Sequence, residues 1–361
     1  MVYFRNKEKG EKSNGDVDEK TKNKIVYDRV NVKTLPSFSL LNDKVQKVVR
    51  SASWYERYGR EWQMIGIMLL LFPTCIYMQC SSNLVNIIGG TLIGGFAYAG
   101  LSQRFGHLAV HGALTQSKSI NKLLADILVQ FFGNFPTCLV YDAHIVLHHP
   151  HTNIIDLGDS SIWKVPALPK IVYMLFAPFL LPVLTPVFGL VGLIVERKFG
   201  YVLQYLLWST LGLVAHFLPL YYFGYSIAAC LFLIFASKSV FTVPYIHINI
   251  FQHIGLPMYS NEARPPRVYQ MSTGVLNLRK NLILDLVFGP ALIDCHVEHH
   301  LFPKLSDSMC FRIKPLVKEY MKENNLPYHE SDYSERFFAF MQDYQRLMKD
   351  APPITHFIGI Q

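Results

Sequence analysis

The chain has 361 residues, 51% of them hydrophobic and only 17% charged, against about one quarter charged in an ordinary soluble protein. A formal net charge of +8 suits nucleic acid or an anionic membrane surface, and the long apolar runs decide for the membrane and against nucleic acid. The six cysteines (75, 80, 138, 230, 295 and 310) sit mostly in or beside apolar runs and form no CxxC pair, which argues against a disulfide framework or a zinc ribbon.

In chain order, residues 1–33 are rich in Lys, Glu, Asp and Asn and read as a disordered tail without a signal peptide. Residues 35–60 suggest a short interfacial helix, with Trp54, Tyr55 and Tyr58 at headgroup level. The apolar runs 62–80 and 83–101 are each close to the roughly 20 residues that cross a bilayer. Uncharged Ser81 and Ser82 join them into a tight hairpin. The run 123–140 carries Asp126, Gln130, Asn134 and Pro136, and 171–195 carries Pro178, Pro182 and Pro186. Cleaner runs at 201–222 and 226–246 form a second hairpin through Phe223, Gly224 and Tyr225. The remainder is mixed and mostly charged, with amphipathic helices expected over 314–348. The chain thus divides into a tail and interfacial segment (1–61), a membrane domain (62–305) and a C-terminal helical segment (306–361).

Lys and Arg crowd residues 1–60, 264–280 and 304–322 and are absent from the two short links. The positive-inside rule puts both termini in the cytosol and both links on the far side. The expected fold is all-α and membrane-integral, with four transmembrane helices in two hairpins. That count requires 123–140 and 171–195 not to cross completely, although 171–195 is long enough to do so; their Pro and polar content fits an interfacial or re-entrant position.

The chemistry lies in the histidines. His107 and His111 form HxxxH past the second apolar run. His144, His148 and His149 form HxxxHH past the third, and His296, His299 and His300 form HxxHH after the last spans. On a helix, offsets of three and four share a face, while adjacent residues diverge by about 100° and can reach different metals. Imidazole suits Fe, Zn, Cu and Ni. Eight histidines exceed the usual four ligands of one tetrahedral zinc and fit two metals. His216, alone in an apolar run, reads as a satisfied interior histidine. His151 and His247 are expected to orient ligands or cap backbone, and His329 and His356 to be surface residues.

Taken as they stand, GHLAVHG, HIVLHHPH and HVEHHLFP resemble the three histidine boxes of the integral-membrane fatty acid desaturase and hydroxylase superfamily, over about residues 62–303. HHLFP is similar to acyl-lipid and front-end desaturases, although a front-end enzyme often has Gln where this chain has His296. The resemblance implies a four-span fold whose cytosolic helical cap holds two ferrous ions, with O2 as co-substrate. It also implies a further ligand at His253, four residues after Asn249 in NIFQH, and a water-mediated role for Asn249. Asp142, Asp294 and Glu298 lie beside the boxes and are candidates to orient ligand rings through hydrogen bonds.

Removing hydrogen from an unactivated methylene needs an oxidant made from O2, which non-haem iron supplies. The expected reaction is desaturation of a fatty acyl chain carried as acyl-CoA or acyl lipid. Three alternatives stay open: a hydroxylase of the same superfamily, a zinc-dependent membrane lipid hydrolase, and a non-catalytic lipid-binding relative. No HPGG stretch and no Gly-rich dinucleotide fingerprint occur. The resemblance therefore implies cytochrome b5 and its reductase as separate electron donors, and the endoplasmic reticulum as location.

Overall fold

The long apolar runs become long helices. The computed structural model describes residues 35, 37–155, 157, 168–261 and 264–349; the 1–33 tail and His356 lie outside them. After a short α1 (Phe38–Ser51) come α2 (Tyr55–Gln79) and α3 (Leu84–Val110), α4 (Lys118–Phe132) and α5 (Thr137–His148), then α6 (Val172–Val195), α7 (Phe199–Phe223) and α8 (Ile227–Phe251). The C-terminal part holds α9 (Arg267–Gly274), β1 (Leu276–Leu278), α10 (Leu282–Phe288), α11 (His296–Leu301), α12 (Asp307–Glu323), β2 (His329–Ser331) and α13 (Tyr333–Lys349). The two short strands pair in parallel, Leu276 opposite His329. His329 is therefore a half-buried strand residue and not a plain surface one.

By length and composition five of these helices, α2, α3, α6, α7 and α8, suffice to cross a membrane. That is one more than expected, the addition being α6, where the Pro-rich run 171–195 forms a long helix after all. Leu70, Tyr77, Val85, Leu203 and Phe232 are among the large apolar side chains these helices leave exposed, as a lipid-facing surface requires. Caps follow local chemistry. The Asn83 side chain accepts from Val85 N at 2.8 Å to start α3, and Gly224 at φ +113 ends α7, a conformation that costs glycine little.

α4 and α5 bend by 109° at residues 133–136, which frees carbonyls among apolar helices. Each unpaired group there costs several kcal/mol, and neighbouring side chains satisfy them. Lys238 of α8 donates to Phe132 O at 2.6 Å, Ser209 of α7 to Gln130 O, and Tyr205 of α7 to Asn134 O. Gly212 lets α7 approach this break: a Cβ there would lie 2.0 Å from Phe131 O. Beside it His216 is enclosed by Tyr98 Oη at 2.9 Å and Gln79 Oε1 at 2.7 Å, a satisfied interior histidine as read from the sequence.

The first two boxes close α3 and α5 and meet the third in the C-terminal part. There α1 does not present its apolar face to lipid. Leu41 and Val45 are fully buried with Val297, Ile313 and Val317 of α11 and α12, while Leu40 on its other side and Trp54 and Tyr55 beyond it stay exposed, at 55%, 60% and 51%. An amphipathic face that finds a protein partner gains the same burial there.

Candidate metal centre

Wide turns decide where the histidines point. A π-helical stretch, Gly100–Phe105, immediately precedes His107 in α3, and another, Tyr141–His148, contains most of the second box. There the backbone bond runs from His149 N to His144 O at 3.1 Å, so residues five apart lie over one another. His144 and His149 therefore face one way and His148 another. In the ordinary turn of α11, His296 and His300 share a face, and His299 diverges from its neighbour His300.

The result is two adjoining clusters. His107, His111, His144, His149 and His299 form one, with one ring nitrogen from each lying within 4.8 Å of all the others; His148, His253 and His300 form the other on the same measure. His296 joins the second, its Nε2 lying 2.9 Å from His253 Nε2 and 3.2 Å from His300 Nε2. The rings of His149 and His300, one from each cluster, are 4.4 Å apart. All the imidazoles expected from the three boxes, and His253 with them, thus come together.

These nitrogens fit metal ions better than they fit one another. His144 Nε2 faces both His107 Nε2 at 2.9 Å and His149 Nε2 at 3.1 Å, and one ring proton serves only one of two such contacts. Two nitrogens bound at right angles to one metal at about 2.0–2.1 Å lie about 2.9 Å apart. Buried Nδ1 of His107 and His149, Nε2 of His111 and both nitrogens of His299 make no hydrogen bond among the described residues. Buried polar groups left so need an explanation, and a metal would provide one for His111 Nε2 and for one nitrogen of His299. Burial, reinforced by neighbouring imidazoles, holds His111, His149, His253, His299 and His300 well below the ordinary histidine range. Burial likewise brings His296 down to about 3. Neutral rings keep the lone pair that a metal needs.

The groups that orient the rings are not those expected. His296 Nδ1 donates to Ala291 O at 3.0 Å and His253 Nδ1 to Gly274 O at 3.3 Å. A carbonyl only accepts, so both rings carry their proton on Nδ1 and turn Nε2 to the cluster. His300 Nδ1 meets Thr152 Oγ1 at 3.1 Å, while the Thr152 hydroxyl donates to His148 O. Asn153, at φ +54, spans three carbonyls with its amide, those of His253, Pro257 and Gly274. Nothing in the sequence marked these residues, although HHPHTN does put Thr152 and Asn153 directly after the second box.

Among the described residues, none of Asn249, Asp142, Asp294 and Glu298 hydrogen-bonds an imidazole. Asn249 donates to Tyr245 O, one turn back in its own helix. Asp142 pairs with Lys198 at the α6–α7 junction. Asp294 takes the Cys295 thiol and lies near Lys314. Glu298, fully buried, accepts from Tyr328 Oη at 2.7 Å and Asn277 Nδ2 at 3.1 Å; burial pushes its carboxyl up to about 7. It steadies α11 and leaves the rings to others. His151 caps Leu147 O, and His247 bonds Met174 O and Tyr333 Oη, tying α8 to α6 and α13.

The sequence is also similar to known proteins. The sequence model of a family described as "Fatty acid desaturase" matches residues 82–332. A human protein named "Fatty acid desaturase 6" is 41% identical over 325 residues, covering 88% of this chain and 89% of the relative. Its Mus musculus namesake is 41% identical over 326 residues, covering 89% and 94%. A "Delta(5) fatty acid desaturase" of Caenorhabditis elegans is 27% identical over 112 residues, covering 30% of this chain and 24% of that protein.

Proposed function

This chain belongs to the fatty acid desaturase family, and from that premise we propose that it introduces a double bond into a fatty acyl chain, using O2, at a pair of irons held by the nine imidazoles. The observation that carries the reading is the pair of adjoining histidine clusters, five rings and four. Iron bound there supplies, from O2, the oxidising power to remove hydrogen from an unactivated methylene.

The protein's own part is to hold and shield. Ala291, Gly274 and Thr152 direct the Nε2 atoms of His296, His253 and His300 inward. His299 and His300 are 0% exposed, which keeps bulk water from the oxidising centre. Two hydrogens leave the acyl chain, and two electrons with two protons from outside complete the reduction of O2 to water. A separate cytochrome b5 and its reductase would deliver the electrons, and a basic cytosolic face suits an acidic donor. The acyl group would arrive as a coenzyme A thioester or a membrane lipid.

Chain parity supports an even number of crossings, which fits four spans with both termini on one side; in the proposed reading that side is the cytosol and the membrane is that of the endoplasmic reticulum. His148 and His253 share one cluster, so the chain between them crosses the bilayer an even number of times. With α7 and α8 as a crossing pair, α6 enters and leaves on one side. Its three prolines and the tight turn Ala177–Leu180 fit a helix that stays near the interface.

The test is elemental analysis of the gently purified chain, with lipid profiling of a host that expresses it and a His299→Ala control. Iron at two per chain, and a new alkene lost in the variant, support the reading. One zinc without iron would favour a hydrolase, and an added hydroxyl group in the product a hydroxylase.

A further inference from the structure

Three residues before His107 on α3, Arg104 is buried. Its Nε lies 2.7 Å from Asp307 Oδ2, with side chains 9% and 2% exposed. Its Nη1 donates to Leu286 O at 2.9 Å and Asp285 O at 3.3 Å, closing the end of α10. The other carboxylate oxygen, Asp307 Oδ1, accepts from Ala291 N at 3.0 Å. Ala291 O in turn accepts from His296 Nδ1 at 3.0 Å. An unbroken chain of contacts therefore runs from the helix of the first box to a ring of the third. Gly289 makes the approach possible: it sits at φ +82, and a Cβ there would fall 2.2 Å from Asp307 Oδ2 and 2.7 Å from Arg104 Nε.

We propose that Arg104 and Asp307 are positioning residues for the four-histidine cluster. Their buried pair holds the turn at residues 289–292, and through Ala291 it sets both the direction and the proton position of His296. This rests on the reading of the clusters as metal sites. His107, on the same helix as Arg104, and His111, just past its end, serve the other cluster, so the pair also keeps the two clusters at a set separation. Arginine suits the task because its planar fork reaches a carboxylate and two carbonyls at once. A lysine keeps the charge and loses that geometry.

The experiment uses the full chain in detergent with Arg104→Gln, Arg104→Lys and the milder Asp307→Asn, each checked for wild-type helicity and a monodisperse elution profile. Metal per chain is measured after reconstitution with ferrous iron, and hydrogen exchange is followed with and without the metal. Folded Arg104→Gln and Asp307→Asn should fall from two metals towards one, with Arg104→Lys between them and wild type. Exchange should rise at least fivefold over residues 289–301 and stay unchanged over 107–111. Two metals retained with unchanged exchange, or equal loss of both metals, overturns the proposal. If the wild type takes up no metal, the metal reading is what fails. Exchange in the metal-free protein then still decides whether Arg104 holds the turn.

Discussion

The proton on Nδ1 of His296 and of His253 follows from what each ring meets: a carbonyl oxygen, which accepts and never donates. Thr152 is the corresponding partner of His300, and it is isosteric with valine. Thr152→Val should lower the metal affinity of the four-histidine cluster about ten- to a hundredfold, read by competition with a chelator. His299→Ala belongs to the five-histidine cluster and should empty that one first. A pH effect is expected away from the metals. Glu330 is half-buried; burial alone would raise its carboxyl, but the hydrogen bond from Lys318 and the charge of Lys314, at 3.3 Å, outweigh it and lower the net value. A carboxylate whose folded value is depressed contributes stability above its unfolded value, and that share is lost as pH falls through the folded one. Glu330→Gln should therefore cost stability at neutral pH and flatten the loss below about pH 4.5, by no more than about 1 kcal/mol given solvent screening. Thermal unfolding across pH checks it.

The α4–α5 break shows how a membrane protein tolerates irregular backbone. Lys238 reaches Phe132 O and Asn134 Oδ1 and lies 4.2 Å from the Tyr98 ring, so its ammonium serves as a cap for the end of α4. Placing lysine at this depth costs about 2.5–3.5 kcal/mol, while each hydrogen bond to a charged group returns about 1.5–3 kcal/mol. The bonds win by a small margin. Lys238→Met, which leaves both acceptors unpaired, should lose about 1–3 kcal/mol, seen as a lower midpoint in a detergent melt, and Lys238→Arg should recover part of it. Because α5 carries the second box, the same variant should bind metal less tightly.

Across the molecule, the arrangement of crossings makes a prediction independent of chemistry. The sequence holds no Asn-x-Ser/Thr acceptor, so an engineered one is an unambiguous reporter. Placed in a loop extended at Gly224, which faces open space, it should be glycosylated in microsomes. Placed at Asn325, between α12 and β2, it should not. Glycosylation at Asn325 would sink the four-span reading, because the cap would then face the lumen.

Local pattern made much of this legible. The two apolar hairpins, the three boxes and the divergence of His148 from His149 follow from periodicity, since helix geometry converts spacing into direction. The break between α4 and α5 was readable from Asp126, Gln130, Asn134 and Pro136. The groups that orient the rings were not readable, nor was the burial of α1 against α12. Arg104 and Asp307 are 203 residues apart, and Thr152 and His300 are 148 apart. Contacts at such separation leave no periodic trace, because they arise from how packed helices bring distant segments together. Hydrophobic spacing dictated which segments are helical and which faces carry imidazole; packing of the cap against the spans chose which carbonyl, hydroxyl or lysine each of them meets.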